Sequence, residues 1–156
     1  MYKRQNSLNE PQIIEALYEA SNAGVKVDLL IRGICSLRPG VPNVSENIRV
    51  VSVIGRFLEH SRVYAFGPEG DVELYLSSAD WMPRNMFHRV EVAVPVLDDE
   101  LRARALSESI DNYFRDTGFA WQLRSDGSYQ RVKPAVGEEI FSAQSELQAY
   151  YKSVSH

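Results

Sequence analysis

Three short segments carry residue types that can handle phosphate. The first runs Ile31-Arg-Gly-Ile-Cys-Ser-Leu-Arg-Pro-Gly40. Arg32 closes an apolar run and opens a glycine-containing loop. In open α/β sheets, the crevice beyond the carboxyl ends of the strands is the usual ligand site. A guanidinium there offers a planar fork that fits two phosphate oxygens at once. The second segment runs Gly55-Arg-Phe-Leu-Glu-His-Ser-Arg62. Its His60 has an acid and cations as sequence neighbours. Histidine is the side chain suited to proton transfer, or to attack on phosphorus, near neutral pH. The third runs Tyr75-Leu-Ser-Ser-Ala-Asp-Trp81, where hydroxyls and an acid end an apolar strand. Those hydroxyls can donate to phosphate oxygens or orient a histidine. Each segment also has a plain structural reading: a rim arginine paired with an acid, a structural histidine, and a Ser/Asp turn cap.

Composition frames these candidates. The chain has 156 residues, 44% of them hydrophobic and 24% charged. That length suits one domain with a real core, able to bury roughly 70% of its unfolded surface. The single cysteine, Cys35, can form no disulfide within the chain, and no cysteine cluster is present to hold zinc. One reduced thiol fits a cytoplasmic location. The net charge is −4, which argues against nucleic acid as a partner. The cations are skewed to 13 Arg against 4 Lys, and seven of the Arg fall between Arg32 and Arg89. No apolar run approaches the ~18 residues of a membrane span. The polar opening, Met1 to Glu10, shows no signal peptide.

The elements that would position the candidates follow from periodicity. Asn9 caps a helix with Gln12 three residues on, and Ile13, Ile14, Leu17 and Tyr18 form its apolar stripe. Gly24 ends it, and Val25–Ile31 follows as a buried strand. The 33–47 segment, with Pro39, Gly40 and Pro42, is a loop. Strands are predicted at Ile48–Ile54, Ser61–Phe66, Val72–Ser77 and Arg89–Val96, with a turn at Gly67–Asp71. In the last strand, Val90, Val92, Val94 and Val96 line one face. Asp98 caps a helix with Leu101, Ala105, Ile110, Tyr113 and Phe114 inward. Asp126-Gly127 turns a hairpin between Ala120–Arg124 and Ser128–Val132. A final helix is predicted from about Glu138 to Tyr151, with a stripe of Ile140, Phe141, Leu147 and Tyr151. The whole reads as one α/β domain, a mixed sheet flanked by helices.

Taken together, the candidate segments are more specific than any one of them. His60-Ser-Arg62, then about fifteen residues, then Ser77-Ser-Ala-Asp80 resembles the half-motif of the phospholipase D superfamily, H-x-K followed by small-Ser-x-Asn. Arg62 stands at the lysine position and Asp80 at the asparagine position. Gly67 stands where that motif carries its aspartate, which keeps phosphate binding plausible and argues against independent hydrolysis. Longer strings are similar to the C-terminal part of bacterial polyphosphate kinases. They are Ile31–Gly40, Ser45–Val50, Ile54–Val63 and Tyr75–Asn85, with Asn6-Ser-Leu8 and Asp126-Gly-Ser-Tyr129 beside them.

That resemblance implies a phospholipase-D-like fold for residues 1–156, the last domain of a several-fold longer kinase. It implies reversible transfer of the ATP γ-phosphoryl group to polyphosphate, through a phosphohistidine in the preceding domain. It matches Arg32 and His60 to the residues this domain contributes to the nucleotide-phosphate site. Arg62 and Arg38 are further phosphate contacts by position. The implied cofactor is Mg2+ carried with ATP, with no metal-ligand set in this chain. The implied partners are ATP or ADP, polyphosphate and the remaining kinase domains, in a homo-oligomer or as one copy. The implied location is cytoplasmic, with the full-length complex at a membrane as a variant. Two other readings stand beside it. One is a single-motif phosphodiesterase that dimerises to bring two His60 together, and the other is a non-catalytic module that binds nucleotide or polyphosphate.

Overall fold

The computed structural model describes residues 1–68 and 70–154. Glu69, inside the predicted Gly67–Asp71 turn, lies outside the described residues. The chain opens with a strand that its polar composition did not suggest, β1 (Tyr2–Gln5). Helix α1 (Pro11–Asn22) follows, then β2 (Val27–Ile31), β3 (Ile48–Val53), β4 (Val63–Phe66) and β5 (Glu73–Ser77). After the short α2 (Pro83–Phe87) and β6 (Ala93–Pro95) comes α3 (Asp99–Leu106). It runs through a π-turn (Ser107–Asp111) into α4 (Asn112–Phe114). The hairpin β7 (Ala120–Leu123) and β8 (Tyr129–Arg131) and the helix α5 (Ala143–Val154) complete the chain.

The strands form one sheet in the order β6-β5-β4-β1-β2-β3-β7-β8. β1, β2 and β3 are parallel, with Lys3 opposite Leu29 and Leu29 opposite Val50. The strands outside them attach antiparallel. Side chains alternate across the pleat, so β2 feeds two cores. Val27, Leu29 and Ile31 pack with Leu17, Ile13 and Ile14 of α1. Leu30 packs on the other face with Ile110, Tyr113 and Ala143 from the α3, α4 and α5 side. A parallel trio covered on both faces explains the near-continuous apolar run that marked β2 in the sequence.

Several expectations shift. Glu10, not Asn9, caps α1: its carboxylate accepts from Ile13 N at 2.7 Å, with Pro11 at the first helical position. Asn9 instead donates its amide N–H to Trp81 O at 3.0 Å. The predicted 89–96 strand shrinks to Ala93–Pro95 at the sheet edge, and Val90 is 99% exposed, with Val92 and Val94 more than half exposed. Alternation alone promised a buried face there, but of its four valines only Val96 packs against the core, beside Ala105 and Leu106. Leu101 also faces solvent rather than the core. The last helix begins at Ala143, because residues before it are drawn into an extended link. Phe141 N donates to Thr117 Oγ1 at 2.9 Å, and Phe141 O accepts from Thr117 N and Gly118 N. Ile140 is consequently exposed.

Candidate functional site

β1, β2 and β3 end at Gln5, Ile31 and Val53, and the same end of the sheet holds the start of β4 and the end of β5. The topology therefore gathers Asn6-Ser7, Arg32, the 54–62 segment and Ser77–Asp80 along one edge. Gly33 allows the close approach there. Its N–H donates to Asn6 O at 2.8 Å, and a Cβ on it would sit 2.7 Å from that same oxygen.

Arg32 Nε donates to the main-chain carbonyl of Glu59, which leaves the terminal nitrogens of its guanidinium for a ligand. His60 is exposed. Its Nε2 lies 3.4 Å from Arg62 Nη2, and Arg62 Nη1 donates to His60 O at 3.3 Å. Arginine only donates, so this contact is a hydrogen bond in the tautomer whose Nε2 accepts and whose proton is on Nδ1. Arg62 is itself held by Asp80, with Nη2 to Oδ2 at 2.8 Å. Asp80 is almost fully buried, and its other oxygen accepts from Asn6 N at 2.8 Å. Burial pushes the Asp80 carboxyl upward, but the Arg62 bond and the Asn6 and Ser7 amides outweigh it, and the group ends below its ordinary range. Arg62 is therefore a cation already engaged by a carboxylate, placed to brace His60.

The predicted residues are not all brought together. Arg38 belongs to the 33–47 loop on another part of the molecule. Its N–H donates to Tyr18 Oη at 2.9 Å and its carbonyl accepts from Ser45 Oγ, and its charge adds a smaller effect to the Ser128 hydrogen bonds that lower the carboxyl of Asp126 in the β7–β8 turn. The serine hydroxyls serve as turn braces: Ser77 Oγ accepts from Ala79 N at 3.0 Å, while Ser78 Oγ bonds Glu91 and Val92 N.

Residue-by-residue reading missed the support beneath the site. Glu59 points away from His60, into the molecule, where it meets Arg4 at 2.5 Å, Tyr113 Oη and Gln144 Nε2. On the opposite face of β1, Lys3 is fully buried with its ammonium over the rings of Trp81 and Tyr64. The only sequence signal for β1 was the family match at Asn6-Ser-Leu8. The carboxylates here do not form a divalent-cation site, since Glu59 and Asp80 each bind an arginine. Among the described residues no group of three or more His, Cys, Asp or Glu is placed to hold a metal, and no helix is long and apolar enough to cross a membrane.

Fold and site thus define a mixed α/β unit whose parallel strands end in an arginine- and histidine-bearing edge suited to oxyanions. The family described as polyphosphate kinase C-terminal domain 2 matches residues 1–144. A Burkholderia lata polyphosphate kinase is 53% identical over 150 residues, 96% of this chain and 22% of the relative. A Xylella fastidiosa polyphosphate kinase is 51% identical over 144 residues, 92% of this chain and 21% of the relative. The crystal structure of the polyphosphate kinase from Porphyromonas gingivalis superposes with a TM-score of 0.90 at 38% identity, covering 97% of this chain and 23% of that one. The chain belongs to the polyphosphate kinase family, within its C-terminal domain 2, and spans about a fifth of the length of these curated relatives.

Proposed function

We propose that residues 1–156 form one phospholipase-D-like unit that supplies the nucleotide-phosphate site of a polyphosphate kinase. The kinase moves the ATP γ-phosphoryl group reversibly to polyphosphate through a phosphohistidine on a neighbouring domain. The observation that carries the reading is the convergence of Arg32 and His60 at the carboxyl end of the parallel strands, with Arg32 braced by the Glu59 carbonyl. Phosphoryl transfer needs positioning and cationic donors on the equatorial oxygens more than covalent chemistry. Arg32 provides a fork of donors, and each charged hydrogen bond contributes on the order of 1.5–3 kcal/mol. His60 offers a ring N–H to the leaving oxygen, as a neutral donor that stabilises its charge or as an imidazolium that protonates it and is left neutral. Arg62 keeps that ring in place, and Asp80 keeps Arg62 in place. Magnesium enters as part of the magnesium–nucleotide substrate, ligated by its phosphates.

The test uses a full-length kinase that carries this sequence. His60→Gln should lower transfer at least about a hundredfold, the low end of acid–base contributions, with folding preserved. Arg32→Lys should weaken nucleotide use with little change in thermal stability, because an ammonium cannot reproduce the planar fork. After brief exposure to labelled ATP, the label should map to a peptide outside this chain. Label on the His60 peptide would reverse the roles, and a fully active His60→Gln enzyme would remove the residue from the mechanism.

A further inference from the structure

We propose that Glu59 is the positioning residue of this site, setting the placement of both His60 and Arg32 without facing substrate itself. The proposal deepens the reading above and rests on it. The starting point is what fails to hold the 54–62 segment. Its apolar side chains Ile54, Phe57 and Leu58 are 62%, 47% and 77% exposed, so hydrophobic burial does not anchor it. Polar contacts do. Gln144, at the start of α5, clasps Phe57 from both sides: its Oε1 accepts from Phe57 N at 3.0 Å and its Nε2 donates to Phe57 O at 2.8 Å. The same Nε2 donates to Glu59 Oε1 at 2.8 Å.

Glu59 is the point where these contacts meet. Oε1 also accepts from Tyr113 Oη, and Oε2 pairs with Arg4 Nη2 at 2.5 Å. Arg4 lies on the central strand, its guanidinium 3.7 Å from the centre of the Tyr113 ring. Its Nη1 donates to Ser109 O at 3.3 Å, a carbonyl of the π-turn. Burial pushes the Tyr113 phenol up to about 12, so it remains a donor at neutral pH. The side chain of Glu59 is thus tied to three separate elements of the scaffold. Its main chain faces the other way: the carbonyl receives Arg32 Nε, and the next residue is His60. One residue therefore sets both groups of the proposed phosphate site from a rigid base. A π-turn inside a helix often accompanies a functional site. Here it supplies an acceptor that fixes the arginine under Glu59.

A double-mutant cycle in the full-length kinase tests this. Glu59→Gln keeps the shape and removes the charge, and Tyr113→Phe removes one donor and leaves the ion pair. Each is combined with His60→Gln, and kcat and KM for ATP are measured at a temperature where melting curves show every variant folded. A small misplacement of reacting groups can lower a rate on the order of a hundredfold. Glu59→Gln should lower kcat/KM by about thirty- to a hundredfold, and Tyr113→Phe by about tenfold. In the His60→Gln background each loss should shrink several-fold, and to within about threefold once Arg32→Lys is added as well, because effects that act through the same groups are not additive. Losses that stay additive, or unchanged kinetics in both single variants, would overturn the positioning role. Should Glu59→Gln fail to fold, the Tyr113→Phe cycle decides by the same criterion. An active His60→Gln enzyme brings down the site reading and this proposal together, whereas an impaired one with additive Glu59 and Tyr113 effects brings down the positioning role alone.

Discussion

At the scale of residues, the pairing of Arg62 with Asp80 separates this site from the half-motif it resembles. Two phosphate-facing groups, a lysine and an asparagine, are replaced by a cation and an anion that bind each other. Asp80 is 2% exposed and Arg62 14% exposed in their side chains, so the carboxylate has almost no water to fall back on and the guanidinium little. Removing one partner of a buried pair leaves the other uncompensated. Asp80→Asn keeps the shape but turns one of the two acceptor oxygens into an NH2 donor, so one of the groups now bonded to Asp80 loses its acceptor, and the expected cost is about 1–3 kcal/mol, the range for a buried polar group left unsatisfied. Urea unfolding of this chain at neutral pH measures it. The sign with pH follows from the lowered carboxyl: the stability it gives is present above the ordinary value of 3.8 and is lost as pH falls through the folded value beneath it. The gap between native and Asp80→Asn should therefore close in that acid range. A gap that persists in strong acid would mean the carboxylate charge is not what stabilises. Arg32, His60 and Arg62 stood out in the sequence as candidates because their side-chain types carry the chemistry, and the fold gathers them along one edge of the sheet. Glu59 entered the sequence reading only as the acid beside His60, whereas the chain turns its carboxylate inward to Arg4.

At the scale of elements, legibility followed hydrophobic pattern and failed where polar groups did the holding. β2, β3 and the β7–β8 hairpin carry apolar runs or an Asp-Gly turn, and they fall within a residue or two of expectation. β1 carries Tyr-Lys-Arg-Gln, and no local pattern marks it as the strand between β4 and β2. Its cations are accommodated by rings and a carboxylate that lie far away in sequence, at Trp81, Tyr64, Tyr113 and Glu59. The start of α1 shows the same thing on a smaller scale. Asn9 is the better capping residue by preference, yet its N–H is engaged by Trp81 O and the helix begins one residue later on Glu10. Glu10→Ala should cost about 0.5–2 kcal/mol, the usual loss of a cap, whereas Asn9→Ala should stay within about 0.5 kcal/mol. Thermal melts of the two variants distinguish them, and a larger effect at Asn9 would return the cap to it.

At the scale of the whole molecule, Lys3 sits in the strand that holds both halves of the sheet together, and its charge state is a balance that magnitudes decide. Its ammonium is fully buried, has no hydrogen-bond partner among the described residues, and lies over two aromatic rings. Each cation–π contact contributes about 0.5–2 kcal/mol, while desolvating an ammonium costs several. Desolvation wins, and burial holds the Lys3 ammonium well below its ordinary value of 10.5, with Asp80 opposing and Arg62 adding to the effect. The unfolded chain then binds a proton that the folded chain does not, in the window between the folded value and 10.5. Stability accordingly rises with pH across that window, by up to about 1.4 kcal/mol per pH unit. Other groups bracket the useful range. The amino terminus, also lowered by burial, adds its own slope below 8.0. Buried tyrosines raised from 10.0 reverse the slope above that value. Between pH 8 and 9 the rise belongs to Lys3, because above 9.0 the Cys35 thiol, raised by burial, begins to oppose it, and Lys3→Met, of similar volume and without charge, should flatten it while raising stability at pH 8. Urea midpoints of the two proteins at intervals across that range supply the measurement. Parallel slopes would show that Lys3 stays protonated in the fold, and that the two rings with the Asp80 field outweigh its desolvation.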